Sequence, residues 1–176
     1  MVSVRTILAI LCCLLIGMIP EVANAKFLVH ATRRAFVPKI MKNDFSKYKM
    51  KPTARIGRKE YFGGNVKTAI KEKPRADVAI LFRKSRTFNK RILDTTRMSN
   101  NKLRVISGIK DMRGKVKNGV LGPKIGHRIG NYANRNKLIV KYNSARYSRG
   151  INYAIPSKLY REHPRIVRPV KSLNLR

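Results

Sequence analysis

The sequence predicts a chain that is largely disordered or loosely folded after removal of an N-terminal signal peptide, with short strands and one frayed helix. The net charge is +33 over 176 residues, and charge of a single sign repels itself and opposes compaction. Both cysteines, Cys12 and Cys13, precede the predicted cleavage site. We therefore expect no disulfide to compensate for a thin core in the mature chain.

Residues 1–25 have the pattern of a signal peptide. The apolar run Ile7–Ile19 is 13 residues long, whereas a helix that crosses a bilayer needs roughly 20 residues. Ala23-Asn24-Ala25 then supplies the small residues that signal peptidase accepts. We expect cleavage between Ala25 and Lys26 and a secreted, extracellular product. The net charge of that product stays the same, because the segment carries one basic and one acidic residue.

Three segments follow the signal peptide. Residues 26–107 form a basic segment with candidate processing sites. Residues 108–130 contain seven glycines or prolines and are predicted to be a linker. Residues 131–176 form a basic C-terminal segment that contains tyrosines.

Short apolar clusters indicate where local structure can form. Clusters at 78–82, 138–140 and 153–155 are bounded by polar, glycine or proline residues, which is typical of strands. Between Phe88 and Leu103 the apolar residues recur at a loosely helical spacing. Poor helix formers interrupt that spacing, so a short, frayed helix is expected.

The sequence gives no pattern that is typical of an enzyme. After the signal peptide its seven carboxylates are scattered singly among cations, and His30, His127 and His163 lie far apart. General acid–base catalysis needs such groups held close to a partner, and neither a zinc pattern nor a phosphate-binding glycine loop is present. We therefore expect no catalytic residue, metal, cofactor or small-molecule substrate.

Pairs of basic residues suggest a precursor that is cut into peptides. Gly57 directly precedes one pair, and a C-terminal glycine exposed by trimming can donate its nitrogen as an amide to the residue before it. Excision would then release residues 35–56 as a cationic peptide that ends in an amidated Ile56. The basic pairs are Arg33-Arg34, Arg58-Lys59, Arg83-Lys84 and Lys90-Arg91.

The string FSKYKMKPTARIGR at 45–58 resembles the second peptide of insect ecdysis-triggering hormone precursors, which end in Pro-Arg-Ile-amide followed by Gly and Arg. The resemblance implies a hormone that acts on a G-protein-coupled receptor through Arg55 and Ile56, with Gly57 as the amide donor. Ala54 stands where that family has proline, and the nearest proline is Pro52. The likeness covers 14 residues.

A second hypothesis is a secreted polycation that acts intact. Such a chain gains affinity for nucleic acids, glycosaminoglycans or anionic membrane surfaces through the release of counterions. Roles in host defence, or in seminal, salivary or venom fluids, would fit this chemistry. Tyrosines alternate with cations in the C-terminal segment and either stack on exposed bases or pack in a core: Tyr132, Tyr142, Tyr147, Tyr153 and Tyr160.

Overall fold

The computed structural model describes residues 26–42, 56–57, 59–112, 116–117, 120–147 and 150–175. The predicted signal peptide and its last residue, Ala25, lie outside the described residues. In chain order the elements are β1 (Phe27–Thr32), α1 (Val37–Met41), β2 (Lys59–Gly63), α2 (Val66–Glu72), β3 (Val78–Lys84), β4 (Ile92–Asp94), α3 (Asn100–Ser107), β5 (Val116–Lys117), β6 (Val120–Leu121), α4 (Pro123–Arg135), β7 (Ile139–Asn143), β8 (Ile151–Pro156), α5 (Ser157–Glu162) and β9 (Val167–Asn174).

Seven strands form one mixed sheet in the order β4-β7-β8-β2-β1-β3-β9. Neighbouring strands run antiparallel except β4 and β7, which are parallel. Strands β5 and β6 form a separate two-stranded sheet. Strand β1 lies near the centre, and the contact from Thr32 to Val78 marks the end of its pairing with β3.

The expectation of a largely disordered or loosely folded chain is therefore wrong. Apolar residues make up 43% of the sequence, and the strands place enough of them inside to form a core. Leu28 and Val29 are both buried and enter different clusters, because neighbouring side chains on a strand point to opposite faces. The net charge is a total over the whole chain and does not say which side chains are buried, whereas compaction depends on that burial.

The core consists of two large clusters and a small one. In the first, Phe62 and Phe82 meet edge to face with ring centroids 5.0 Å apart. The second is built where Ile125 and Ile129 of α4 pack against β7 and β8. The third lies under α2, where Ala69 meets small residues of β1 and β3. Within the described ranges, no helix has the length and apolar character needed to cross a membrane.

The three predicted strands are confirmed, since 78–82 and 153–155 lie within β3 and β8, and Ile139 and Val140 of the third cluster begin β7. The frayed helix between Phe88 and Leu103 is wrong, because 3-10 turns and β4 occupy most of that stretch and α3 begins only at Asn100. The linker at 108–130 is also wrong in its C-terminal part, where α4 begins at Pro123. Proline suits the first turn of a helix, since its missing N–H has no partner there in any case.

Candidate anion-binding site

A cavity of about 470 Å³ opens where β1 ends and the connection from α2 to β3 passes beside it. Three parts of the chain build its wall: the end of β1 with the turn after it, the α2–β3 connection, and the loop between β7 and β8. The described residues that line it are Thr32, Arg33, Phe36, Lys73, Pro74, Arg75, Ala76 and Arg146.

Hydrogen bonds hold helix α2 and the connection that follows it. At the start of α2, the Asn65 side-chain oxygen accepts from the backbone N–H of Thr68 at 2.7 Å, as is usual at helix N-termini. At the far end the N–H of Lys73 closes the helix by donating to the carbonyl of Ala69. The N–H of Asp77 then donates to the Thr32 carbonyl at 3.1 Å. Lys73, Pro74, Arg75 and Ala76 are thereby fixed beside the end of β1.

Arg146 is positioned by a polar cluster under its loop. The Ser144 hydroxyl donates to Glu72 Oε1 at 2.5 Å and accepts from the backbone N–H groups of Arg146 and Tyr147. Asn152 also donates to Glu72 Oε1, at 2.9 Å. The Glu72 carboxylate therefore ties the β7–β8 loop to the end of α2, directly before the connection that lines the cavity.

The turn after β1 forms the remaining part of the wall, and the Asp77 side chain holds it. Its Oδ1 accepts from the backbone N–H of Arg34 at 2.7 Å, and the 3-10 turn at Arg34–Phe36 follows. This turn leaves Arg33 exposed and Phe36 with 42% of its surface accessible. An acidic side chain near the cavity thus serves the backbone, while the cations line the opening.

The described lining of the cavity contains four cationic side chains and no carboxylate. Two ion pairs, Lys137–Glu162 and Lys141–Asp94, involve no residue of this lining. Four like charges around one concave surface create a positive potential that low-dielectric walls concentrate. The arrangement is therefore suited to an anion.

Buried titratable groups lie behind the cavity wall. His30 Nδ1 is 2.9 Å from the Tyr61 carbonyl and therefore carries the proton, because a carbonyl oxygen can only accept. His30 Nε2 is then an acceptor, and it lies 3.5 Å from Lys73 Nζ. Burial, together with the Lys73 charge, lowers the pKa of His30 to about 3. The imidazole stays neutral and directs the Lys73 amino group.

Glu60 is the acidic member of this group. It is 6% exposed, and its Oε1 has no hydrogen-bond partner among the described residues. Burial raises the pKa of Glu60 to about 7, although the nearby Lys73 charge lowers it in part. Burial lowers the pKa of Lys73, and Glu60 opposes that shift. Lys73 is exposed as a whole residue, so its environment is part solvent and part polar cluster.

Ile56 and Gly57 of the predicted hormone end are integrated into the fold. Ile56 is fully buried in the second core cluster, and its N–H donates to the Tyr61 hydroxyl at 3.1 Å. That hydroxyl donates in turn to the Gly57 carbonyl at 2.6 Å. Gly57 has φ +76°, in the left-handed region that glycine adopts without steric cost. A Cβ on Gly130 would lie 2.1 Å from the Ile56 carbonyl oxygen, so α4 approaches this segment closely.

The predicted processing residues occupy unlike environments. Arg33 and Arg34 are exposed in the turn after β1, and Lys26 is exposed just before β1. Lys59 is 6% exposed in β2, and burial lowers its pKa to about 8. Arg58 lies outside the described residues. The remaining pairs are Arg83-Lys84, in β3, and Lys90-Arg91, in a 3-10 turn.

The tyrosines of the C-terminal segment serve mainly as packing residues. Tyr142 and Tyr160 are each 5% exposed within the core. Tyr153 is part-buried against Phe88, with ring centroids 5.8 Å apart, and Lys67 lies over the Tyr147 ring at 5.3 Å. The series therefore does not form an exposed row for base stacking.

The structure joins Arg33, predicted as a processing residue, and Arg146, one of the cations that alternate with the C-terminal tyrosines, with Lys73 and Arg75, which sequence reasoning missed. These cations are separated by up to 113 positions along the chain, so no local pattern could indicate that they meet. In the described part of the chain, no group of three or more histidine, cysteine, aspartate or glutamate residues is placed to hold a metal ion. No family model, no curated protein and no solved structure matches this sequence.

Proposed function

We propose that the intact, folded chain is a secreted protein that binds anionic polymers and that the cationic cavity is the strongest point of contact. The observation that carries this proposal is the convergence of Arg33, Lys73, Arg75 and Arg146 on one concave surface without a carboxylate in its lining. The polymer carries phosphate or sulfate groups, as nucleic acids and glycosaminoglycans do. Arginine suits both, because its planar guanidinium donates two parallel hydrogen bonds to such oxygens.

The surrounding charge adds affinity without selectivity. With 41 basic and 8 acidic residues, the chain attracts polyanions over its whole surface, and each neutralised group releases condensed counterions. The cavity differs from the rest of the surface because hydrogen bonds hold the backbone beside its cations: Asp77 accepts from the N–H of Arg34, next to Arg33, and Ser144 accepts from the N–H of Arg146. A backbone that is already ordered loses less conformational entropy on binding than a mobile segment does.

The peptide-precursor hypothesis remains a prediction. Excision of residues 35–56 would remove Ile40 and Ile56, which are both buried in core clusters. The intact-chain proposal requires no such loss, which is why we favour it. Amidation at Ile56, a G-protein-coupled receptor as partner and cutting at the basic pairs all belong to the precursor hypothesis alone.

Two charge-matched triple variants test the proposal. The first replaces Arg33, Arg75 and Arg146 by glutamine, and the second replaces Lys102, Arg104 and Lys110, which are exposed in and after α3. Both lower the net charge by the same amount. Binding of labelled heparin oligosaccharide and of labelled single-stranded DNA is measured by fluorescence anisotropy at several salt concentrations.

We expect the cavity variant to lose affinity for at least one polymer by about tenfold more than the control variant, since each charged hydrogen bond is worth about 1.5–3 kcal/mol. Its dependence on salt should also become shallower. The probe with the larger loss identifies phosphate or sulfate as the preferred group. Equal losses in the two variants for both probes would contradict a role for the cavity.

A further inference from the structure

The volume of the cavity limits the size of the ligand that it can hold. One water molecule in the liquid occupies about 30 Å³, so a cavity of about 470 Å³ exceeds what a single phosphate or sulfate group fills. The value lies within the range of about 300–1,000 Å³ that is usual for small-molecule sites. An occupant therefore carries a body of substantial size beside its anionic group.

The wall of the cavity is chemically divided. Arg33, Lys73, Arg75 and Arg146 supply positive charge, while Phe36, Pro74 and Ala76 supply apolar surface. An aromatic side chain beside an anion-binding group is suited to an aromatic ring attached to a phosphate, because the ring stacks while the phosphate meets the cations. A sugar polymer decorated with sulfates has no such ring.

We infer that the cavity binds a phosphate monoester attached to an aromatic ring system, as in a nucleotide or the phosphorylated end of a nucleic-acid strand. This inference rests on the proposed function and narrows it to one kind of anion. Arg33, Arg75 and Arg146 contact the phosphate oxygens, and Phe36 stacks on the ring. Lys73 completes the phosphate contacts from a position that His30 and Glu60 define.

Lys73 is placed for that role by its polar neighbours. Neutral His30 accepts from the Lys73 amino group through Nε2. Burial lowers the pKa of Lys73, and the nearby Glu60 carboxyl group opposes that shift. An ammonium group directed in this way is a point charge with a defined location. It therefore favours a ligand whose phosphate reaches the inner part of the cavity.

Isothermal titration of the full mature chain with three probes tests the inference: adenosine 5′-monophosphate, adenosine, and inorganic phosphate. We expect the monophosphate to bind at least about tenfold more tightly than either of the other two, because only it satisfies both parts of the wall. Equal affinity for the monophosphate and inorganic phosphate would overturn the inference, as would equal affinity for the monophosphate and adenosine.

Single-residue variants locate the effect. Arg75→Gln should weaken binding of the monophosphate about tenfold. Phe36→Ala should lower its advantage over inorganic phosphate, and Arg104→Gln on α3 should change neither. All three positions are exposed, so each variant is expected to fold, and thermal unfolding checks this. An unchanged affinity in Arg75→Gln would place the phosphate elsewhere and overturn the inference.

Strand ends distinguish the two sources of the ligand. Preference for a 5′-phosphorylated single strand over the same strand with a 5′-hydroxyl supports end binding, while preference for the free monophosphate alone supports a nucleotide. If labelled DNA binds and shows the cavity dependence, but no probe is favoured over inorganic phosphate, this inference fails and the proposed function stands. If neither polymer depends on the cavity, the proposed function fails.

Discussion

Two basic stretches are similar in the sequence, Arg33-Arg34 and Gly57-Arg58-Lys59, but their described residues lie in opposite kinds of environment. Arg33 is exposed and lines the cationic cavity. Lys59 is buried in β2, and Gly57 is held by the Tyr61 hydroxyl next to α4. The first stretch is available to a ligand, whereas Gly57 and Lys59 of the second are enclosed by the fold. Basic residues therefore acquire their role from burial and not from sequence spacing.

The largest expected loss of stability is at the contact between α4 and Ile56, the residue directly before the second stretch. Gly130→Ala would place a Cβ 2.1 Å from the Ile56 carbonyl oxygen, so the backbone has to shift. We expect a loss of about 3 kcal/mol in the free energy of unfolding, at the upper end for an overpacked site. Urea denaturation followed by circular dichroism measures the loss. Asn131→Ala, on an exposed position of the same helix, is the control, and equal effects of the two substitutions would contradict the close contact.

The contribution of Lys59 to stability should change with pH, because its side chain is buried in β2. Burial holds the pKa of Lys59 at about 8, below the usual 10.5, so the folded state disfavours its charged form. The resulting penalty is complete below pH 8 and disappears as the pH rises to 10.5. Lys59→Met should therefore stabilise the fold by about 2 kcal/mol at pH 7 and by progressively less above pH 8.

Arg33→Gln is the comparison for Lys59→Met. Because Arg33 is exposed, we expect its replacement to change the free energy of unfolding by less than about 0.5 kcal/mol at either pH. Denaturant titrations of both variants and the parent chain at pH 7 and pH 10.5 give the required differences. A stabilisation by Lys59→Met that does not change with pH would show that lost charge is not its cause.

Tyr61→Phe tests the hydrogen bonds that hold the second stretch. The substitution removes the hydroxyl that accepts from the Ile56 N–H and donates to the Gly57 carbonyl. Because two backbone groups then lose a partner, we expect a loss of about 1.5 kcal/mol. Amide exchange at Ile56 should accelerate in the variant. If neither quantity changes, the hydroxyl does not hold this segment.

Gly57→Ala should have a smaller effect than the substitutions at Gly130, Lys59 and Tyr61. A Cβ at this position meets no atom within 4 Å, yet the φ of +76° is unfavourable for alanine, so the expected loss is about 1 kcal/mol. Gly108→Ala shares both features, with φ +66° and open space, and should cost about the same. The precursor hypothesis adds a separate outcome for Gly57→Ala, which is the disappearance of any amidated peptide that ends at Ile56.

The sequence allowed the prediction of individual strands but not of a stable fold. The clusters at 78–82, 138–140 and 153–155 became strands because short apolar runs between polar residues have few alternatives. The prediction of a linker at 108–130 was wrong in its C-terminal part because the glycines there were interpreted as loop residues. Gly130 instead lies on the buried face of α4, where Ile125 and Ile129 recur at helical spacing and the Ile56 carbonyl needs the space that a side chain would fill.

The candidate site was almost entirely hidden from sequence analysis. Lys73 and Arg75 follow α2. Arg146 lies in the loop between β7 and β8, which is distant from α2 in the sequence. Their convergence depends on long-range contacts, including the hydrogen bonds of Glu72 to Ser144 and Asn152. Composition alone predicts an anionic partner, because the charge of a chain can be counted without knowledge of its fold. It does not predict which cations form the site.

Hydrogen–deuterium exchange of the intact mature chain, with and without the polymer that binds more tightly, tests the central claim most directly. The account predicts that bound polymer slows exchange most at residues 33–36, 73–77 and 144–147, which surround the cavity. Exchange at 100–107, in the equally exposed and basic α3, should change much less. Slowing of equal size at both places would contradict a defined site and would show adsorption governed by net charge alone.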